Sequence, residues 1–254
     1  MYRIDLNCDM GEGFGPYQLG VDSELIKHIT SANIACGFHA GDAATIRRTV
    51  QLALQYDVAI GAHPGLPDLA GFGRRKMEIS SREAYEMTVY QLGAVMAFAT
   101  SEGGKVAHIK PHGALYNMAA VEPKLATAIA EAVYKVDGNM MLYGLSGSEL
   151  IRAGERIGLK TMNEVFADRS YEDDGTLTPR GVEGALLTNS NLAAAQVVSM
   201  VKSGTVRTRL GNILQLKADT VCVHGDTPGA LGHVMKLREL LLQSEIRILK
   251  SGEH

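Results

Sequence analysis

Tryptophan is absent from these 254 residues and phenylalanine occurs only five times, so the 46% of residues that are hydrophobic are mostly aliphatic. Cysteine is nearly as scarce. Cys8, Cys36 and Cys222 are odd in number and far apart, which excludes a disulfide framework or a cysteine zinc site and reads as small apolar residues packed in strands. No apolar stretch approaches the roughly 20 residues of a membrane span. No basic run interrupts the chain, and 25 basic against 28 acidic residues leave a net charge of −3, which speaks against a nucleic-acid partner. Standard nucleotide loops are missing as well. Gly104-Lys105 continues with Val106, the run Gly11, Gly13, Gly15 fails GxGxxG because residue 16 is Pro, and no GxSxG elbow occurs. The opening MYRIDLNCDM reads as a strand and not as a signal peptide, so a cytoplasmic location is expected.

Glycine is the residue in excess, with 28 in 254, about 11% against about 7% ordinarily. These glycines sit singly beside His, Asp and Pro, a pattern of tight turns around chemistry. Short apolar runs predict strands at residues 3–8, 33–37, 58–62, 106–110, 140–144, 161–165 and 220–223, with a further one at 246–249. Helical patterns lie between them. Asp42 is placed to cap a helix carrying Ile46, Val50, Ala53 and Leu54 on one stripe. Ser80 and Glu83 form a capping box ahead of a long helix that Gly103–Gly104 stop. Glu122–Pro123 opens another helix that Gly138 ends. Thr227–Pro228 is placed to start the last one, with Leu231, Val234, Met235 and Leu241 following. Alternating strands and helices predict parallel βαβ units in one domain over residues 1–254. Seven or eight strands suit a (β/α) barrel, with an open doubly wound sheet as the competing architecture.

The strand faces carry the sharper signal. Asp5, Asn7 and Asp9 share one face of the first strand; His108, Lys110 and His112 share one face of the fourth; Thr220, Cys222, His224 and Asp226 share one face of the seventh. Both faces of a central parallel strand are ordinarily apolar. One face turning polar toward the C-terminal ends therefore predicts a polar cleft at the C-terminal mouth of a barrel.

The candidates follow from this placement. Asn7, Asp9 and Glu12 stand at the first strand-to-loop junction, where an Asx turn or a cap explains one of them but not three. His39 and His63 repeat one arrangement on successive strands and, with Asp9, could form a carboxylate-plus-two-histidine metal site, although the spacing matches no local metal motif. Lys110 inside a strand requires an anion, either a substrate or oxyanion or a carboxylate on a neighbouring strand; His112 could move a proton. Glu164, Asp168 and Arg169 could bind a substrate carboxylate or form a surface pair. Asp226 could orient His224 or simply begin a turn. His28, His233 and His254 attract no functional reading.

The segments Asp5–Glu12, Ser31–Asp42, Gly61–Pro64, Lys110–Tyr116, Glu164–Arg169 and Val223–Asp226 together resemble the LamB/YcsF family. The resemblance runs in order from residue 5 to residue 226. It implies an irregular, TIM-like (β/α) barrel of the glycoside hydrolase/deacetylase type. It also implies cleavage of 5-oxo-L-proline to L-glutamate coupled to ATP hydrolysis, with two partner chains, the 5-oxoprolinase subunits B and C. ATP would then be used by the partners, in keeping with the missing nucleotide loop here, and this chain would open the activated lactam. The polar mouth, and not the resemblance, suggests the individual roles: Asp9 or His224 deprotonates water, Lys110 and Arg169 hold the substrate carboxylate or oxyanion, and His112 protonates the departing nitrogen. The alternatives are a stand-alone metal-dependent deacetylase or amidohydrolase and a non-catalytic subunit that binds a small carboxylate. Divalent metal content and a homo-oligomer are left open.

Overall fold

A computed structural model of the protein describes residues 1–17, 19–223 and 229–252. The chain begins with a nine-residue strand, β1 (Tyr2–Met10), followed by one turn of helix, α1 (Asp22–Leu25), and a 3-10 turn at Ile26–His28. Then come β2 (Ser31–Ala35), α2 (Ala43–Gln55), β3 (Ala59–His63), α3 (Ser81–Ser101), β4 (Val106–Ile109), α4 (Gly113–Val121) and α5 (Pro123–Val136). The second half holds β5 (Met141–Leu145), α6 (Glu149–Ile157), β6 (Lys160–Phe166), α7 (Ser190–Ser203), β7 (Thr205–Arg207), β8 (Ile213–Gln215), β9 (Thr220–Val223), α8 (Ala230–Gln243) and β10 (Ile246–Ile248).

Seven parallel strands close on themselves in the order β1-β2-β3-β4-β5-β6-β9, with β9 pairing β1 to complete the ring. The expected barrel is therefore observed and the open sheet is not. The eighth predicted strand exists, but it is no stave. β1 meets β9 only from Asp5 onward, and its overhanging start, Tyr2–Ile4, pairs in parallel with Ile246–Ile248. β2 begins two residues earlier than its apolar run indicates. The antiparallel pair β7–β8 escaped prediction, since three-residue strands are too short to show a period.

The helices follow their caps. The Asp42 carboxylate accepts from Thr45 N at 2.8 Å, and the Ser80/Glu83 box forms as expected. Pro123 stands at the start of α5, which yields at Asp137, one residue before the expected Gly138. The expected start Thr227–Pro228 lies outside the described residues; α8 begins at Ala230 after Gly229. Two stripe assignments move. Leu54 is 38% exposed and Met235 51%, while Leu237 takes the buried place in α8. All three cysteines are free and buried, as their spacing predicts. No helix among the described residues is long and apolar enough to cross a membrane.

Candidate active site

Strand alternation points one face of each stave into the barrel, and here that interior is polar. Register sets Asp5 beside Thr220, Asn7 beside both Ser31 and Cys222, and Asp9 beside Asn33. A column of hydrogen bonds climbs the axis from this arrangement. The Asp5 carboxylate accepts from the hydroxyls of Thr30, Ser31, Thr220 and Tyr143. Asn7 donates to Thr220 Oγ1 at 2.7 Å, and Asn33 donates to Asn7 Oδ1 at 2.8 Å and Asp9 Oδ1 at 2.9 Å. The remaining oxygen of Asn33 lies 2.8 Å from His108 Nε2 and, being only an acceptor there, fixes the proton on that nitrogen. Burial, reinforced by the Lys110 cation, pushes His108 down to about 3, so the ring is neutral.

At the top of this column stands Lys110, 2% exposed, with Nζ 2.9 Å from Asp9 Oδ1 and 2.8 Å from Glu164 Oε1. Asn7 Oδ1 at 3.2 Å and Cys222 Sγ at 3.1 Å complete its surroundings. Burial opposes the charge, but the Asp9 and Glu164 carboxylates outweigh it and hold the ammonium pKa well above its ordinary value. The anion that Lys110 requires is thus found on neighbouring strands, and its three protons are spent on protein groups.

Above Asp9 the ends of β1 to β4 gather Glu12, His39, His63 and His112, all buried. His63 Nε2 lies 3.2 Å from Asp9 Oδ2, and His112 Nδ1 lies 3.0 Å from His63 Nε2 and 3.9 Å from Glu12 Oε1. His39 stacks on His112 with ring centres 3.7 Å apart and planes 1° from parallel. Burial, with His63 adding to it, pushes His112 down to about 3; burial, then the neighbouring imidazoles, lowers His39 as well. Glycines make room for these rings. A Cβ on Gly65 would collide with the His39 ring, one on Gly61 with the His108 ring, and one on Gly73 would stand 2.7 Å from His39 Cβ and 2.9 Å from His112 Cδ2.

These groups floor or wall a cavity of about 410 Å³ that Asp9, His63, Lys110 and His112 share with Tyr116, Phe166 and three arginines, Arg74, Arg169 and Arg180. Of the predicted residues, the structure therefore brings together Asn7, Asp9, Glu12, His39, His63, Lys110, His112, Glu164 and Arg169. Arg169 forms no surface pair: it is buried and donates to Thr178 O at 2.5 Å and Ala185 O at 3.4 Å. Asp168 lines a separate cavity of about 330 Å³ with Leu186, Ser190 and His233. His224 and Asp226 lie outside the described residues. Sequence reasoning passed over Asn33, although it lies within Ser31–Asp42 and faces the axis, and over Arg74 and Arg180, which stand in loops where no period marks a direction.

A closed parallel barrel with charged groups collected at the C-terminal mouth defines the class, a TIM-like (β/α) barrel with its polar cluster at the end where barrel enzymes place their sites. Within that class the chain belongs to the LamB/YcsF family, whose sequence model matches residues 4–254. It is 56% identical over 253 residues to the A subunit of 5-oxoprolinase from Bacillus subtilis (strain 168), covering 100% of this chain and 98% of that protein. Against the A subunit of 5-oxoprolinase from Clostridium kluyveri the identity is 57% over 251 residues, with 98% of each chain covered. A crystal structure of a lactam utilization protein from Thermus thermophilus superposes with a TM-score of 0.91 at 40% identity, over 97% of this chain and 99% of that one. A T48 deacetylase, 10% identical with a TM-score of 0.51 over 98% of this chain and 88% of its own, shares the fold alone.

Proposed function

We propose that this chain is the ring-opening subunit of an ATP-dependent 5-oxoprolinase, hydrolysing activated 5-oxo-L-proline to L-glutamate in company with partner subunits B and C in the cytoplasm. The observation that carries this reading is full-length similarity, 56% identity over 100% of the chain, to the A subunit of a 5-oxoprolinase. The cavity suits the chemistry. A five-membered lactam resists hydrolysis, and phosphorylation of its carbonyl oxygen by ATP on the partner subunits makes the carbon electrophilic. Water then adds to that carbon, the ring C–N bond breaks as the nitrogen gains a proton, and the γ-glutamyl phosphate so formed loses phosphate to a second water.

Asp9 is the group to move these protons. Its side chain is 12% exposed and lines the cavity, and Lys110 and Asn33 hold its Oδ1 from below. It takes the proton of the attacking water and, as a carboxylic acid, returns one to the departing nitrogen. The acid role expected of His112 passes to Asp9 because the one ring proton of neutral His112 is held by Phe72 O, 2.8 Å from Nε2. Lys110 acts through Asp9, keeping it ionised and oriented, while the arginines around the cavity supply positive charge for a substrate bearing a carboxylate and a phosphoryl group. The test is reconstitution. Glutamate formation from 5-oxoproline should require ATP, subunits B and C and this chain; no glutamate from the complete mixture, or an undiminished rate without this chain, would overturn the proposal.

A further inference from the structure

The two imidazoles that face each other at the mouth have their protons committed elsewhere. His63 Nδ1 lies 2.7 Å from Lys110 O, and His112 Nε2 lies 2.8 Å from Phe72 O. A backbone carbonyl can only accept, so each ring carries its proton on that outward nitrogen. With both rings neutral, the inward nitrogens, His63 Nε2 and His112 Nδ1, are lone pairs facing each other 3.0 Å apart. The other neighbours at this point are also acceptors: Asp9 Oδ2 is 3.2 Å from the first and Glu12 Oε1 is 3.9 Å from the second. Lone pairs converging at such distances repel unless a cation lies among them. A second, independent observation points the same way: His39 is fully buried, yet among the described residues neither of its ring nitrogens has a hydrogen-bond partner.

We propose that Glu12, His39, His63 and His112 bind one divalent transition-metal ion, the His39 ring turning out of its parallel stack on His112 to bring a nitrogen lone pair to the ion, with the Asp9 carboxylate at its cavity edge. The four side chains each offer a donor atom, and these atoms all lie within 4.8 Å of one another. Ligands about 2.1 Å from an ion stand about 3.0 Å apart at right angles and about 3.4 Å apart in a tetrahedron, which matches the spacing of the two inward nitrogens. A ring whose outer N–H is held by a carbonyl is the usual form of a histidine ligand, because that bond fixes both tautomer and orientation. Three imidazoles and a carboxylate select zinc, iron, cobalt or nickel over calcium and magnesium, which take oxygen cages.

The experiment uses the full chain alone, so its outcome does not depend on the lactam reading. Chelator-treated protein is titrated with Co2+ and with Zn2+, reading stoichiometry by elemental analysis and ligand type by the visible spectrum. One equivalent of Co2+ should bind with nitrogen/oxygen-type bands and no thiolate charge-transfer band, and Zn2+ should displace it. His63→Gln and Glu12→Gln proteins, each checked for fold by circular dichroism, should bind at least about 100-fold more weakly, beyond the 10- to 100-fold cost of losing a group behind a ligand. No uptake of either ion by folded wild-type protein would overturn the proposal. So would unchanged uptake in both variants, or a thiolate band assigning the ion to a cysteine.

Discussion

The two ends of the barrel interior are built from the same staves and handle buried charge in opposite ways. At the N-terminal end the Asp5 carboxylate is surrounded by four hydroxyls, each a donor with an acceptor to find. Burial raises its pKa, those hydroxyls offset part of the rise, and every oxygen in the cluster has a hydrogen-bond partner. At the C-terminal end the groups are paired but not satisfied. Lys110 is shared between two carboxylates, bare imidazole nitrogens face one another, and among the described residues His39 has neither ring nitrogen engaged. Polar side chains inside a barrel are therefore not in themselves a site. The end at which donors and acceptors balance holds the fold together, and the end at which they do not balance is built to receive something else.

The largest effect should come from Lys110→Met. It leaves Glu164 buried and Asp9 without its cation, so unfolding should cost about 3–5 kcal/mol less, and glutamate formation in the reconstituted system should fall about 100-fold or more. Chemical denaturation and turnover measured on the same protein check both. Asp5→Asn separates the two ends. It should lower stability by about 1–3 kcal/mol, the cost of disturbing buried hydrogen bonds, while turnover stays within a few-fold of wild type. A larger loss of turnover than of stability would erase the distinction between the two ends.

The pH-dependent effect concerns His108, midway up the column. Its folded pKa is about 3 against an ordinary 6.5, so between those values the unfolded chain binds a proton that the folded chain does not. Its contribution is stability that is lost as pH falls below 6.5 and continues to fall toward 3, by up to about 1.4 kcal/mol per pH unit. His108→Gln retains a donor for Asn33 and should flatten the denaturation midpoint against pH over that window relative to wild type. An unchanged slope would place the acid sensitivity elsewhere.

How much of this was legible in the sequence follows the same physics. The seven staves could be read because alternation fixes which residues share a face, and the polar face of β1, β4 and β9 announced both the barrel interior and the mouth. Alternation does not say who pairs with whom. The two expectations for Lys110, a substrate anion or a neighbouring-strand carboxylate, differ only in the register that brings Glu164 to it. Asn33 carried no signal beyond its face, since an amide takes its role from what it bridges. Arg169 could be read as exposed because the carbonyls of Thr178 and Ala185 that bury it come from a loop without period. The glycine excess is now physical at particular positions: Gly61, Gly65 and Gly73 are the room into which the His108, His39 and His112 rings fit.

In the proposed division of labour, partner subunits activate the lactam and Asp9 opens it. Asp9→Asn protein, shown to be folded and mixed with subunits B and C, ATP and 5-oxoproline, tests this most directly through simultaneous assay of ADP and glutamate. The expected result is continued 5-oxoproline-dependent ADP formation with glutamate formation reduced about 100-fold or more. Glutamate appearing at the wild-type rate would contradict it.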